Sequence, residues 1–148
     1  MRILIQRVSR AEVRVDENVE GRIGYGIVAL IGIAAGDTNK DADYLADKMI
    51  NLRIFSDAAG KMNLSAVDAK AELLLISQFT LYGDCRKGRR PGFDAAAPPE
   101  RARELYLYLV ERVRQSGLVT QTGVFQAHME VELINDGPVT FLLESPAP

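Results

Sequence analysis

Hydrophobic and polar residues alternate along several segments of the chain, and this period of two predicts β-strands. Within residues 2–15, Ala11 and Val13 alternate with charged residues, and extending the same phase places Arg7 on the core side. Either a β-bulge shifts the register there or a polar pocket receives the arginine, and the pattern leaves both interpretations open. Further strands are predicted in the segments 24–35, 71–82, 119–125, 128–134 and 139–143.

Two other segments repeat their apolar residues at the spacing of an α-helix. The first runs from about 40 to 52, and the second begins at Pro98 and ends with a cap at Gly117. Strands outnumber helices and the two do not alternate regularly. The pattern therefore predicts one α+β domain over residues 1–148, with a largely antiparallel, barrel-like sheet and two packed helices. A turn is predicted at 135–138, and the last few residues are predicted to be frayed.

The most apolar strand is followed at once by polar groups. Four large aliphatic residues at 73–76 suit a strand that is buried on both faces, and Ser77, Gln78 and Thr80 stand at its end. A strand anchored in the core can hold such groups in fixed geometry against a substrate. The same groups can simply satisfy the backbone where the strand ends, so this segment alone does not decide between the two.

Composition and charge narrow the class of protein. The chain has 148 residues, of which 47% are hydrophobic and 26% charged, values that are ordinary for one globular domain. Its net charge of −2 argues against a general nucleic-acid coat, which would be basic overall. A local basic cluster nevertheless follows the polar strand end, and either contacts phosphates or is a solvated loop. The cluster consists of Arg86, Lys87, Arg89 and Arg90.

Cysteine and histidine usage predicts no cofactor and no metal site. Cys85 is the only cysteine and His128 the only histidine, so no set of residues has the spacing of a zinc site. The first residues are too few and too charged for a signal peptide, and the longest apolar stretch is about half a membrane span. We therefore expect a soluble cytoplasmic protein in a reducing compartment, without a membrane association.

A hydroxyl nucleophile is poorly supported by the residues. Ser77 or Thr80 would need a base, and His128 is predicted to be a strand residue that is satisfied locally. Backbone N–H groups and the Gln78 amide can instead stabilise a developing oxyanion without a covalent step. Gly137-Pro138 is either an ordinary turn or a cis dipeptide, which the sequence does not distinguish.

Two motifs in this sequence resemble the bacterial and eukaryotic D-aminoacyl-tRNA deacylases. They are Ser77–Leu81 with Tyr82-Gly83-Asp84, and Asn135–Thr140; Gln6–Val8 and Lys87–Pro91 are also similar to that family. The similarity covers essentially the whole chain. It implies an esterase that removes D-amino acids, and glycine, from tRNA as a proofreading step in translation. It also implies a homodimer with active sites at the subunit interface and no metal.

The resemblance assigns roles to individual residues. It implies that Ser77, Gln78, Phe79 and Thr80 line the pocket around the ester and that Met129 lies near. Gly137-Pro138 would be a cis dipeptide inserted into the neighbouring subunit's site, where its carbonyls bind the amino group and exclude L side chains, and Arg7 would hold it in place.

The resemblance suggests that the ribose 2′-hydroxyl of the tRNA assists hydrolysis of the ester. Three alternatives to this scheme stay open. The first is a covalent route in which Thr80 is the nucleophile. The other two are an RNA-binding module without catalysis and an esterase of small esters that uses Ser77 or Thr80.

Overall fold

The fold is built around a mixed six-stranded sheet, described by a computed structural model of residues 1–147. The strands occur in the order β2-β1-β3-β6-β7, and β8 pairs with the remaining edge of β1. The strands are β1 Arg2–Val15, β2 Asn18–Ile23, β3 Gly26–Gly32, β4 Phe55–Ser56, β5 Met62–Leu64, β6 Glu72–Ser77, β7 Thr120–Thr122 and β8 Glu130–Glu144, of which β4 and β5 form a separate hairpin. The helices within the described residues are α1 Asn39–Asn51, α2 Ala66–Ala69 and α3 Pro99–Arg114, and a 3₁₀ turn spans Phe79–Tyr82.

The predicted α+β class with a barrel-like sheet is confirmed, and the sheet curls until its ends meet. A Cβ atom added to Gly21 of β2 would lie 2.9 Å from the carbonyl oxygen of Thr122 in β7. The sheet has one hydrophobic cluster on each face. The larger one contains the buried sides of α1 and α3, and the smaller one, enclosed by the curl, includes Val8, Ala11 and Val13. The larger hydrophobic cluster thus holds both long helices on one side of the sheet.

The connections around β6 depart from the regular antiparallel pattern. Strands β3, β6 and β7 are parallel neighbours, and α1 and α3 lie in the two connections between them. These are βαβ units, whose crossovers place the carboxyl ends of all three strands at one edge of the sheet. The remaining pairs of the large sheet are antiparallel.

Several predicted boundaries were wrong. The strand predicted over 71–82 ends at Ser77, and the residues after it form the 3₁₀ turn. The segments 119–125 and 128–134 contain only β7 and the start of β8, so His128 lies in a loop and not in a strand. The turn predicted at 135–138 lies inside β8 as an interruption of its pairing with β1, and α2 is an additional short helix.

The two ends of the described chain lie together. Ser145 donates its backbone N–H to the carbonyl of Met1, at 3.0 Å. Of the tail predicted to be frayed, residues 146 and 147 follow β8 without regular structure, and Pro148 lies outside the described residues. None of the helices in residues 1–147 combines the length and the hydrophobicity that a membrane-spanning helix requires.

Candidate active site

A cleft of about 710 Å³ opens at the carboxyl ends of the parallel strands. This is the edge at which α/β sheets bind their ligands, and the volume is that of a small-molecule site. One wall is Ser77, Gln78 and Phe79, and a second is the start of α3 with the residues before it. The third wall is the loop 125–129 with Val131. Most of the lining side chains are apolar, so the few polar groups define the chemistry of the cleft.

The polar groups at the end of β6 are held by the strand beside it. Gln78 donates its backbone N–H to the carbonyl of Ile31, at 2.7 Å, which extends the β3–β6 pairing past the end of β6. The side-chain amide of Gln78 donates a hydrogen bond to the Thr80 hydroxyl oxygen. An amide donor cannot remove the proton of that hydroxyl, so the contact does not activate Thr80 as a nucleophile. Ser77, Gln78 and Phe79 line the cleft, whereas Thr80 lies beside it in the 3₁₀ turn.

Gly32 of β3 and Arg2 of β1 contact the 3₁₀ turn and hold it in place. A Cβ atom at Gly32 would lie 2.9 Å from Cβ of Leu81 and 3.2 Å from the carbonyl oxygen of Gln78, so only glycine lets the turn approach β3 this closely. The Arg2 guanidinium donates to the Leu81 carbonyl at 3.0 Å and lies 4.6 Å from the centre of the Tyr82 ring. Burial raises the pKa of Tyr82 to about 12, so this side chain is neutral at pH 7.

The opposite wall contains residues that the sequence analysis did not assign to the site. His128 and Phe125 line the cleft together with Met129, and Phe93 approaches from the other side, with its ring 5.0 Å from that of Phe79. Met129, which the resemblance places near the pocket, lies in this wall. His128 is exposed and makes no side-chain hydrogen bond within residues 1–147, so the expectation that it is satisfied in a strand was wrong.

Arg7 lies in a separate polar pocket, and both interpretations of its position are correct. The register between β1 and β8 shifts on each side of Val8, and Arg7 itself is 7% exposed. Its guanidinium donates to the carbonyl of Ile54 at 2.7 Å and to that of Asp136 at 3.1 Å. The Asp136 carboxylate is also 3.3 Å from its Nε atom. The arginine therefore ties the interruption in β8 to the segment before β4.

Gly137 and Pro138 follow directly in this interruption and are exposed. The peptide bond between them is cis. Neither residue lines the cleft of its own chain, and Arg7 does not line it either. The predicted site residues thus fall into two groups, one in the cleft and one beside Arg7.

The basic cluster lies on a loop that two backbone hydrogen bonds between Asp84 and Gly92 close. Arg86 donates twice to the Asp84 carboxylate, at 2.9 and 2.7 Å, and this hydrogen-bonded pair holds the pKa of Asp84 below its usual range. Lys87, Arg89 and Arg90 are exposed and form no ion pair within the described residues. Three cations of the cluster are therefore available to an anionic partner.

No group of three or more His, Cys, Asp or Glu side chains in the described residues is arranged to hold a metal ion. The chemistry available at the cleft is that of hydroxyl, amide and backbone groups, with one imidazole on the facing wall.

Comparison with known proteins gives consistent matches over the whole chain. The family described as D-Tyr-tRNA(Tyr) deacylase matches residues 4–144. A D-aminoacyl-tRNA deacylase of Geotalea uraniireducens (strain Rf4) is 59% identical, covering 99% of this chain and 94% of the relative. One of Desulforamulus reducens is also 59% identical, over 98% of this chain and 97% of the relative.

Two solved structures are similar along nearly their full lengths. A protein titled c-Myc DNA Unwinding Element Binding Protein has a TM-score of 0.93 and 42% identity, and the match covers 99% of this chain and 100% of that one. A probable eukaryotic D-amino acid tRNA deacylase has a TM-score of 0.86 over 97% and 98% of the two chains. At 16% identity, the second match shows the common fold alone.

Proposed function

The chain belongs to the D-Tyr-tRNA(Tyr) deacylase family and is a hydrolase of the aminoacyl-tRNA ester bond, and from this premise we propose how it selects its substrate. Its selectivity for D-aminoacyl esters comes from backbone groups of a second subunit and not from a side-chain pocket. Glycyl-tRNA is accepted by the same site, and the terminal ribose 2′-hydroxyl assists hydrolysis. The enzyme acts in the cytoplasm as a proofreading factor in translation.

The observation that carries this proposal is the exposed Gly137-Pro138 dipeptide, which follows the Asp136 carbonyl that Arg7 binds and does not line the cleft of its own chain. A pocket that recognises a substrate by its apolar side chain favours it over a similar substrate by only about 1–3 kcal/mol. Rigid backbone that projects into the site can reject an L side chain by steric overlap, whatever that side chain is. Many D side chains would then be tolerated. Glycine would be accepted too because it has no side chain to reject.

A homodimer would bring this dipeptide to the cleft of the partner. Strand β8 pairs with β1 on one edge, and no strand in residues 1–147 pairs with its other edge, which is 15 residues long. It also exposes large apolar side chains, which a monomer would leave in water. These are Ile134 at 46%, Phe141 at 41% and Leu142 at 52% exposure. In a two-fold dimer, each subunit would complete the other's site, so both sites would be equivalent.

The reaction would rely on positioning and on the substrate's own hydroxyl. Ser77, Gln78, Phe79 and Thr80 would surround the ester, with backbone N–H groups and the Gln78 amide stabilising the negative charge that develops on its carbonyl oxygen. The 2′-hydroxyl beside the ester would orient a water molecule for attack on the carbonyl carbon. The bond from that carbon to the ribose oxygen would then break, and the ribose oxygen would leave with the proton that the attacking water loses, which releases the free amino acid and the tRNA. Gly137 and Pro138 carbonyls would accept hydrogen bonds from the substrate amino group, and Met129 would lie near the pocket that holds the ester.

The basic cluster would bind the phosphates of the tRNA acceptor end. Arg86 is already paired with Asp84, so Lys87, Arg89 and Arg90 would contribute most of the attraction. Replacing these three residues by serine should lower the slope of log affinity against log salt by about 0.7–0.9 for each phosphate that the protein no longer neutralises. The same change at Arg86 should have a smaller effect, and an unchanged slope in the triple variant would refute this role.

Deacylation of D-Tyr-tRNA and L-Tyr-tRNA in parallel tests the proposal directly. The D-ester should be hydrolysed and the L-ester spared, and equal hydrolysis of both would refute steric exclusion. A non-catalytic RNA-binding module would bind tRNA but leave the half-life of both esters unchanged. An esterase of small esters would be labelled by serine-reactive phosphonates and would not need RNA.

The route of hydrolysis is tested separately from the selectivity. Thr80→Ala should retain substantial activity, and tRNA that ends in a 2′-deoxyribose should be a poor substrate. His128 is the only imidazole at the cleft, so His128→Ala should also remain active if no side-chain base is used. An inactive but folded Thr80→Ala protein, together with a trapped acyl-enzyme, would establish the rival covalent route.

A further inference from the structure

The pairing of β8 with β1 is interrupted where β8 contains surplus residues. Gln6 pairs with Thr140 and Val8 with Asn135, so β8 takes five residue steps where β1 takes two. The three surplus residues leave the ladder as the 136–138 bulge, which carries Gly137 and Pro138. A bulge of this size removes ladder hydrogen bonds and leaves backbone groups in need of partners.

The side chain of Asn135 supplies those partners at the base of the bulge. Its amide nitrogen donates to the Arg7 carbonyl on β1 and to the Val139 carbonyl on β8, both at 2.9 Å. One acceptor lies on the facing strand and the other at the far end of the bulge, so one amide group replaces hydrogen bonds that the backbone cannot make. An amide is suited to this position because its nitrogen has two N–H donors.

Thr140 and Gln6 extend this network on the side away from the bulge. The Thr140 hydroxyl oxygen is 3.4 Å from the Asn135 amide oxygen, to which it donates, and it accepts a hydrogen bond of 3.1 Å from the Gln6 side chain. Thr140 reaches Asn135 only through its amide oxygen and not through its two donor bonds, and within the described residues neither Thr140 nor Gln6 makes a side-chain hydrogen bond to residues 136–138. Arg7 holds the bulge through Asp136, and Asn135 closes its two ends.

We propose that Asn135 is a positioning residue that fixes the 136–138 bulge and thereby sets the enzyme's discrimination between D- and L-aminoacyl esters. The inference rests on the proposed function, in which Gly137-Pro138 of one subunit excludes L side chains from the site of the other. A group that excludes by steric overlap must be rigid, since a shift of about 1 Å can change a rate by about 100-fold. Loosening the bulge should therefore admit L-esters and also weaken binding of the D-ester amino group.

The test compares Asn135→Ala with the full-length wild-type enzyme. The ratio of kcat/KM for D-Tyr-tRNA to that for L-Tyr-tRNA should fall by about 10–100-fold, while binding of uncharged tRNA stays unchanged. Hydrogen exchange at the backbone amides of Gly137, Val139 and Thr140 should become faster. Asn135→Asp keeps the shape of the side chain but lacks both donors, so it should show the same loss and serves if the alanine variant does not fold.

Two control variants separate positioning from general destabilisation. Thr140→Val removes a hydroxyl but leaves both donor bonds of Asn135, so its D/L ratio should stay within about twofold of the wild type. Val110→Ala lowers stability through the core of α3, far along the helix from the cleft, and should leave the ratio unchanged.

The outcomes also distinguish this inference from the proposed function. Equal hydrolysis of both enantiomers by the wild-type enzyme would refute the proposed function. A wild-type discrimination that persists in folded Asn135 variants, or unchanged hydrogen exchange of the bulge, would refute the role of Asn135 alone.

Discussion

Replacing Arg7 by methionine tests whether the buried guanidinium stabilises the fold as well as the bulge. Methionine has a similar length and no hydrogen-bond donor, so the change removes the donors and retains most of the apolar packing. The carbonyl of Ile54 would lose the 2.7 Å bond, and that of Asp136 the 3.1 Å bond. The ion pair with the Asp136 carboxylate would also be removed.

The expected cost follows from the burial of each partner. A buried acceptor left without a partner costs about 1–3 kcal/mol, which applies to Ile54. The partly buried bond to Asp136 adds about 1 kcal/mol, and the ion pair adds less than about 1 kcal/mol because its carboxylate is 43% exposed. Relief of the desolvation of the arginine offsets part of this loss. The free energy of unfolding should therefore fall by about 2–4 kcal/mol.

Urea unfolding at one fixed protein concentration measures this change, since dimerisation would make stability depend on concentration. With a slope of about 2 kcal/mol per molar urea, the midpoint should fall by about 1–2 M at unchanged slope. The control is Arg22→Met on β2, where the side chain is 68% exposed, and it should change stability by less than about 0.5 kcal/mol. A loss below about 1 kcal/mol in Arg7→Met would show that the two carbonyls find water instead, and would refute the reasoning.

Two further predictions concern the cleft support and acid stability. Gly32→Ala places a Cβ atom 2.9 Å from Cβ of Leu81, so the 3₁₀ turn should shift, kcat/KM should fall, and stability should fall by about 1–3 kcal/mol. Gly36→Ala, with nothing within 4 Å, should change neither quantity, and a fully active Gly32→Ala would show that the cleft does not depend on this close approach. Hydrogen bonds from backbone N–H groups hold the pKa of Asp57 and of Asp68 below its usual value of 3.8. A lowered pKa in the folded state gives stability that is present above the unfolded pKa and lost as pH falls through the folded pKa, so the urea midpoint should be level from pH 7 to 5 and fall below about pH 4, less so in Asp57→Asn.

Residues 73–76 show how far periodicity alone predicted the fold. Their burial on both faces was predicted and is confirmed, because a run of large aliphatic residues has few other stable environments. Their partners could not be predicted, since the period of a strand contains no information about which neighbour it pairs with. The parallel arrangement of β3, β6 and β7, and hence the position of the cleft, depends on two long crossovers.

The candidate site was also predicted only in part, because contacts between distant segments cannot be read from local sequence. Ser77 and Gln78 were identified because a polar motif follows an apolar strand, whereas Phe79 was implied only by the family resemblance; all three line the cleft. His128 and Phe93 were missed because contacts across the cleft join segments that are far apart in sequence. The residues at 135–138 have the local conformational preferences of a turn, and the same preferences are compatible with a bulge. Only the distant partners Arg7 and Ile54 distinguish the two outcomes.

The pairing of β1 with β8 has a consequence for the order of folding. The hydrogen bond from Arg7 to Asp136 joins residues 129 positions apart, so loop closure on this scale must precede formation of the bulge. Before β8 emerges during synthesis, the edge of β1 that it covers stays open, and a nascent chain with an open edge is prone to aggregation. The helices and the central parallel strands can form earlier. The surface proposed to recognise chirality would thus be the last part of the molecule to acquire its structure.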